Sequence, residues 1–480
     1  MTAQLETVGT PTEEQQGRSA ARRTGPPAGF TFALASAVLA FSMMQTLLVP
    51  ALPVLAAQLG VNAATVGWTL TAYLLSGAVA APVIGSLGDR FGHRRVLIAA
   101  MLVFVAGAAL AGLSGSFAVM LIGRVLQGSA TASFPLAVAI VRAHLVGRDQ
   151  AAAIGWLSGT LGLGAGFALV VGGLVTDLLG WPWLFALGGA LGLLSVGLVA
   201  WRVPASEQGE PAPQDWPGIA LLVVTLLPLL LVVSQGASWG WGTPLVIGLA
   251  ALAAVGLVAL ILVERTRPHP LIDPKLFTSR ALAATNALTL FLGFVPYAFY
   301  VGLPVLLQAA SGGIGHDLGV TATGMALLPG AVLVFLGGRL APWLLGRLSG
   351  RGTASLSLAL MAAGGVGIGI LPGSLAAIIG FFCLIGLGNG IGFAVVAELI
   401  AGHAPRDGLG AALGVNGVLR TVGSAFGTPI ATLMLTTVAL AAGGAPTAGT
   451  FQALFVMAAA VSLLGAALAF LIPGRPRRDA

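Results

Sequence analysis

Two arginines, Arg124 and Arg420, stand inside long apolar runs, and their chemistry is the most distinctive the sequence offers. A guanidinium keeps its charge in proteins and has five donors and no acceptor. It can therefore bind an anion or a carbonyl, but it cannot release a proton. In hydrocarbon such a group is costly and should face a cavity or a partner. Arg124 opens the segment Arg124-Val-Leu-Gln-Gly128, and Arg420 follows Asn416 by four residues, which puts both on one helix face. Arg420 lies about 12 residues into its run, roughly 18 Å of helical rise, hence near mid-membrane. We read Arg124, Gln127, Asn416, Arg420, Gln45 and Tyr297 as cavity groups for a substrate. The structural alternatives are a lock onto neighbouring carbonyls for Arg124 and pairing with a carboxylate for Arg420.

Other chemistries lack their residues. There is no G-x-x-x-x-G-K-[S/T] phosphate loop, so ATP-driven work is not expected. No serine sits in G-x-S-x-G. The histidines (His93, His144, His269, His316 and His403) are scattered and suggest no metal site. The expectation is a protein that is not an enzyme and needs no cofactor. With Cys383 alone, no intramolecular disulfide can form.

The elements that must position these groups are membrane spans. Only 8% of residues are charged and 57% are hydrophobic, against roughly 25% charged in a soluble domain. Mean hydropathy is +0.99. Fourteen apolar segments are readable, at about 30–52, 66–88, 96–114, 117–141, 152–176, 183–202, 216–235, 244–263, 282–307, 321–343, 353–372, 375–400, 409–439 and 450–472. We number them spans 1 to 14. Each must satisfy its own backbone in lipid, so helices are expected throughout. The 70 glycines suit close helix packing.

Lys and Arg fix the topology. Arg90, Arg94, Arg95, Arg142, Arg148, Arg202, Arg265, Arg267, Lys275, Arg280, Arg347, Arg351, Arg406, Arg475, Arg477 and Arg478 all fall on one side, and the loops 236–244, 309–320 and 441–450 carry none. By the positive-inside rule the basic side is cytoplasmic, with both termini there. The net charge of +7 thus reads as topology, and no nucleic-acid partner is expected. Residues 1–28 form a polar cytoplasmic tail with no removable signal peptide. The remaining expected units are a six-helix bundle at 29–203, linkers with two extra spans at 204–280, a second six-helix bundle at 281–473 and a short tail at 474–480. Two repeated halves around a midplane site would follow.

Between spans 2 and 3 stands Gly85-Ser-Leu-Gly-Asp-Arg-Phe-Gly-His-Arg-Arg95. Gly85 allows close packing, Asp89 ends the helix, and Gly92 permits a tight turn. This resembles the signature loop of the major facilitator superfamily, G-x-L-x-D-R-x-G-R-R, with His93 the one departure. Arg124–Gly128 is similar to the family's R-x-x-Q-G element, and Asn416–Gly427 to its N-x-x-R-Q-x-G-G-A-x-G. Gly164–Gly173 resembles the glycine-rich antiporter motif, with Ala168 and Leu169 in place of Gly-Pro. In span 1, Met44 and Val49 stand where fourteen-span exporters usually have aspartate and asparagine. The resemblance implies an all-α integral membrane protein with the major facilitator fold, two six-helix bundles plus two extra spans. It also implies that Gly85, Asp89, Arg90, Gly92 and Arg94 gate conformation, through a charge network stabilising the outward-facing state. The implied function is proton-coupled export of a drug, antibiotic or metabolite across a bacterial cell membrane by a multi-pass monomer. Its partners would be that small molecule, protons and the bilayer.

With the span 1 acid missing, Asp177 and Glu398 are the coupling candidates, though each sits at a span end where an interfacial role is the simpler reading. The alternatives are an uptake carrier for a small anionic metabolite and a transport-inactive sensor. Span 9 adds Phe291, Phe294, Tyr297 and Tyr300 at intervals of three, a possible lining for an organic substrate.

Overall fold

The computed structural model describes residues 28–205, 215–267, 279–310, 314–403, 409–441 and 447–473. The expected cytoplasmic tails and most of both linkers lie outside the described residues. Among the described residues all regular structure is helical.

Twelve helices are long and apolar enough to cross a bilayer, and Phe30–Thr46 is a shorter apolar one. One of the twelve, Val320–Ile370, has 51 residues. At about 1.5 Å per residue it would be more than twice as long as a roughly 30 Å hydrocarbon core is thick. It breaks at Ser349, whose backbone angles (φ 66, ψ 164) are not helical. It is therefore spans 10 and 11 joined by a kink, and the fourteen crossings are accounted for. Span 1 is shorter than its apolar run. Pro50 has no N–H to donate and Pro53 follows, so the helix stops at Thr46 and resumes as Leu52–Gln58.

Large apolar side chains such as Leu113, Phe167, Val255, Leu262 and Leu464 are exposed, as a lipid-facing surface requires. Exposed tryptophans mark both ends of the bundle. Trp201, Trp216 and Trp343 lie by the basic ends, Trp183, Trp239 and Trp241 by the uncharged ends, the placement of interfacial belts.

Small residues decide how the halves meet. Span 5 (Gly147–Leu179) presents glycines to two neighbours. Gly164 and Gly172 press against Ser42 and the Leu47 carbonyl of span 1, where Thr46 donates to Ala165 O at 2.8 Å and Ser42 donates to Leu161 O. Gly166 and Gly173 meet Ala331, Val320 and Thr321 of span 10 in the other half. A side chain larger than hydrogen at Gly166 or Gly173 would run into its neighbours there. Span 2 packs likewise along span 13, and the extra spans 7 and 8 pack mainly on each other, with span 7 touching both spans 2 and 13. The extra pair thus lies against the seam between the halves.

Candidate functional site

Span 4 is built to bury an arginine. Its helix Phe117–Gln127 gives way to a 3-10 turn at Gly128–Ala132 before Ser133–His144 continues it. The tighter turn lets Gly128 approach Ser76 and Gly77 of span 2, and Thr131 Oγ1 donates to Gly77 O at 3.0 Å. Arg124 is thereby carried into the first half, with no exposed surface. Its Nε donates to Thr69 O at 2.7 Å, and one Nη donates to Gln127 Oε1 at 2.7 Å and Met44 O at 3.5 Å. The guanidinium carbon sits 4.4 Å from the centre of the Tyr73 ring, a cation–π contact. Tyr73 is fully buried and donates to Phe41 O at 3.1 Å. Arg124 therefore ties spans 1, 2 and 4 together through carbonyls and an aromatic face.

Arg420 is placed by span 13, Leu409–Ala441. Gly293 of span 9 lies against its backbone carbonyl, so spans 9 and 13 touch at this depth. Asn416, one turn earlier, is committed within the half: its amide donates to Thr289 Oγ1 at 2.6 Å and Asn286 Oδ1 at 3.1 Å. Arg420 is mostly buried with some exposed surface, and its guanidinium carbon lies 5.4 Å from the centre of the Phe393 ring. Among the described residues it makes no side-chain hydrogen bond and no ion pair.

The two arginines share a neighbour. Tyr297 stands in the field of both guanidiniums, beside Tyr73 and Gln45. Its ring packs edge-on against Tyr300, 5.6 Å between centres, and Tyr300 against Phe382. The chain has three tyrosines, and all of them converge here. The aromatic series of span 9 does not form one stripe. Three residues turn a helix by about 300°, so the positions drift around it; Phe291 faces Gly465 of span 14 while Tyr297 and Tyr300 face the centre. Of the six cavity candidates, Arg124 and Gln127 are buried within the first half, and Tyr297 of the second half has Arg124, Gln45 and Arg420 as neighbours. Asn416 lies one turn from Arg420, with its amide held by span 9.

Residues 34–428 match the family model Major Facilitator Superfamily. The chain belongs to this superfamily. It is 30% identical over 480 residues to the cephamycin export protein of Amycolatopsis lactamdurans, covering 96% of each chain. It is 29% identical over 406 residues to an uncharacterized MFS-type transporter of Mycobacterium tuberculosis, covering 82% of this chain and 58% of that one. In fold it is similar to an auto-inhibited peptide transporter of the POT family, with a TM-score of 0.66 at 18% identity over 93% of this chain and 98% of the other.

The superfamily's signature loop caps span 2 at the basic end. Gly92 takes φ 91, ψ 124, and helix follows directly from His93. Gly85 has open space around it. The Asp89 side chain is 73% exposed, and its carboxylate lies 2.9 Å from His93 Nε2, one turn along its own loop. Arg94 donates to Ala200 O at 2.6 Å, and Arg90 lies over the Phe91 ring. In this conformation Asp89 is thus paired with the one residue that departs from the family pattern. Asp177 is exposed at the uncharged end, where it accepts from the backbone N–H of Thr321 at 2.8 Å, in the first turn of span 10. Glu398 is exposed near the basic end of span 12.

Two acids escaped the sequence reading. Asp215 caps span 7 by accepting from Gly218 N at 3.0 Å, and Glu264 of span 8 is 2% exposed. Both carboxylates close over Gly218, with Arg267 Nε 3.9 Å from Asp215. Their burial had no signal, because each lies next to a polar linker. Tyr73 was also missed; only its contact with Arg124 marks it.

Proposed function

We propose that the protein exports a small organic compound by alternating access, binding it between the halves at the Arg124–Tyr297–Arg420 centre. The observation that carries this reading is the closure pattern. Gln308 of span 9 donates to Pro50 O of span 1 at 2.9 Å, and Thr321 donates to Asp177, so hydrogen bonds join the halves at the uncharged end. At the basic end the Asp89 carboxylate pairs with His93 of its own loop and, among the described residues, with nothing in the opposite half. With the basic side cytoplasmic, closure at the uncharged end corresponds to the loading state of an exporter, in which a compound would approach Arg420 from the cytoplasm. The cephamycin exporter's likeness along the whole chain supports the same direction.

Protons are the proposed driving ion. Asp177 and Glu398 are both exposed, so neither is a buried relay. Coupling through Asp89, or through a substrate that carries the proton itself, fits the residues better. Everted vesicles with and without a protonophore test this: compound accumulation that collapses with the protonophore is expected. A sodium gradient that drives accumulation despite it would rule out proton coupling. Uptake of an anionic metabolite is the second reading, favoured by the arginine centre. It predicts accumulation in right-side-out vesicles instead.

A further inference from the structure

We infer that Arg420 is an anion-recognition subsite, and that the substrate is an aromatic organic anion whose charge sits on Arg420 and whose ring lies beside Phe393, Tyr297 and Tyr300. This rests on the central-site reading above and adds the chemical class of the ligand.

The argument begins with charge balance. None of the fifteen acidic residues stands in the middle of a span. Those that belong to spans, Asp89, Asp149, Asp177, Glu264 and Glu398, all lie near an end. The interior therefore carries two guanidiniums and no carboxylate. An uncompensated charge at this depth is expensive and marks a ligand path or a partner. Arg124 has its compensation in two carbonyls, the Gln127 amide and the face of Tyr73. Arg420 has the Phe393 ring beside it but, among the described residues, no side-chain hydrogen bond and no ion pair. Arg420 is also the residue with some exposed surface, where Arg124 has none.

The surroundings specify the rest of the ligand. Phe393 and Tyr297 stand next to the charge, with Tyr300 packed edge-on against Tyr297, aromatic surroundings that suit a ring carrying a carboxylate. A carboxylate can take two parallel N–H bonds from the guanidinium fork, which a neutral ester or an amine cannot reproduce. Permanent cations meet two like charges and no counter-charge, so the site selects against them.

The test uses the purified full-length protein and its Arg420→Gln and Arg420→Lys variants. The probes are 2-naphthoate, its methyl ester and 2-naphthylmethylamine. Phenylglyoxal is expected to modify Arg420 and leave Arg124 untouched, as read by peptide mass spectrometry. Naphthoate should slow modification by about tenfold, equivalent to about 1.4 kcal/mol of occupancy, while ester and amine give no protection. Naphthoate should also raise the thermal midpoint of the wild type, less so that of Arg420→Lys, and leave Arg420→Gln unmoved. An inert Arg420, equal protection by the amine, or a full naphthoate shift in a monodisperse Arg420→Gln would each overturn the inference. Export is scored separately in everted vesicles. Arg420-independent extrusion of a cationic dye would leave export standing and sink the anion site. Arg420-dependent naphthoate binding with accumulation only in right-side-out vesicles would do the reverse.

Discussion

The two halves carry an arginine each near Tyr297, and the halves use them differently. Arg124 is enclosed, its Nε and one Nη bonded to carbonyls of spans 1 and 2 and to Gln127, its other Nη buried without a hydrogen-bond partner among the described residues, and its plane laid on Tyr73. Arg420 keeps some exposed surface, with Phe393 beside it and no hydrogen bond from its guanidinium to a described residue. A charge held by carbonyls of neighbouring helices organises those helices. A charge left open can meet a ligand. The same division holds at the loops after spans 2 and 10. Aligned on their positive-φ residues, Gly92 and Ser349, the loops match Arg90 with Arg347 and Arg94 with Arg351, but Asp89 with Gly346. The first half keeps its fixed arginine and its acid; the second keeps an open arginine and only the basic residues.

The sharpest break of this comparison is Arg124→Ala against Arg420→Ala. Loss of Arg124 removes three hydrogen bonds between helices or along span 4 and leaves a cavity under Tyr73, costing about 2–4 kcal/mol. Low monodisperse yield and a depressed thermal midpoint are expected. Arg124→Lys should recover little, because an ammonium lacks the planar fork. Arg420→Ala should fold as well as wild type and lose transport. Equal stability loss in the two variants would show that the halves are not divided in this way.

The acid comes next. Asp89→Asn should keep insertion and folding, since the side chain is exposed and its partner lies in its own loop. If Asp89 stabilises the opposite conformation by about 1–2 kcal/mol, its loss slows transport roughly 5–30-fold. A normal rate at normal expression would remove the gating role.

Asp177 gives a smaller effect. Its carboxylate accepts from Thr321 N–H at the start of span 10, where a negative charge at a helix N-terminus is worth about 0.3–1 kcal/mol. Asp177→Ala should shift the population away from closure at the uncharged end. Spin labels at Leu178 and Met325, in a Cys383→Ser background, should report a broader distance distribution than the parent. An unchanged distribution would make Asp177 an interfacial acid only.

Much of the fold was legible because each apolar run must satisfy its own backbone in lipid, which leaves helices as the answer. Arg124 and Arg420 were legible because charge is so rare in those runs. Their different fates were not. Arg124 binds the carbonyls of Met44 and Thr69, and a backbone carbonyl has no sequence signature. Asn416 looked like a cavity group by its spacing from Arg420, but its amide is taken by Asn286 and Thr289, residues whose inward face a uniformly apolar span does not reveal. The span 9 aromatics looked like a stripe because an interval of three sits close to a helical turn. The accumulated drift separates Phe291 from Tyr297.

The gentlest test concerns the loops themselves. Ser349 holds φ 66, ψ 164, a region open almost only to glycine and costing other residues about 1–3 kcal/mol. Gly92 holds the matching turn of the first half without that cost. Ser349→Gly should relieve the strain, less about 0.4–1 kcal/mol for the added freedom of the unfolded chain. The net gain is about 1 kcal/mol, a rise in thermal midpoint of about 1–2 °C. Gly92→Ser should move the midpoint the other way, by more, since it introduces strain where none is stored. If Ser349→Gly lowers stability, the serine hydroxyl contributes to the kink, and the second loop is held by side-chain bonding that the first does without.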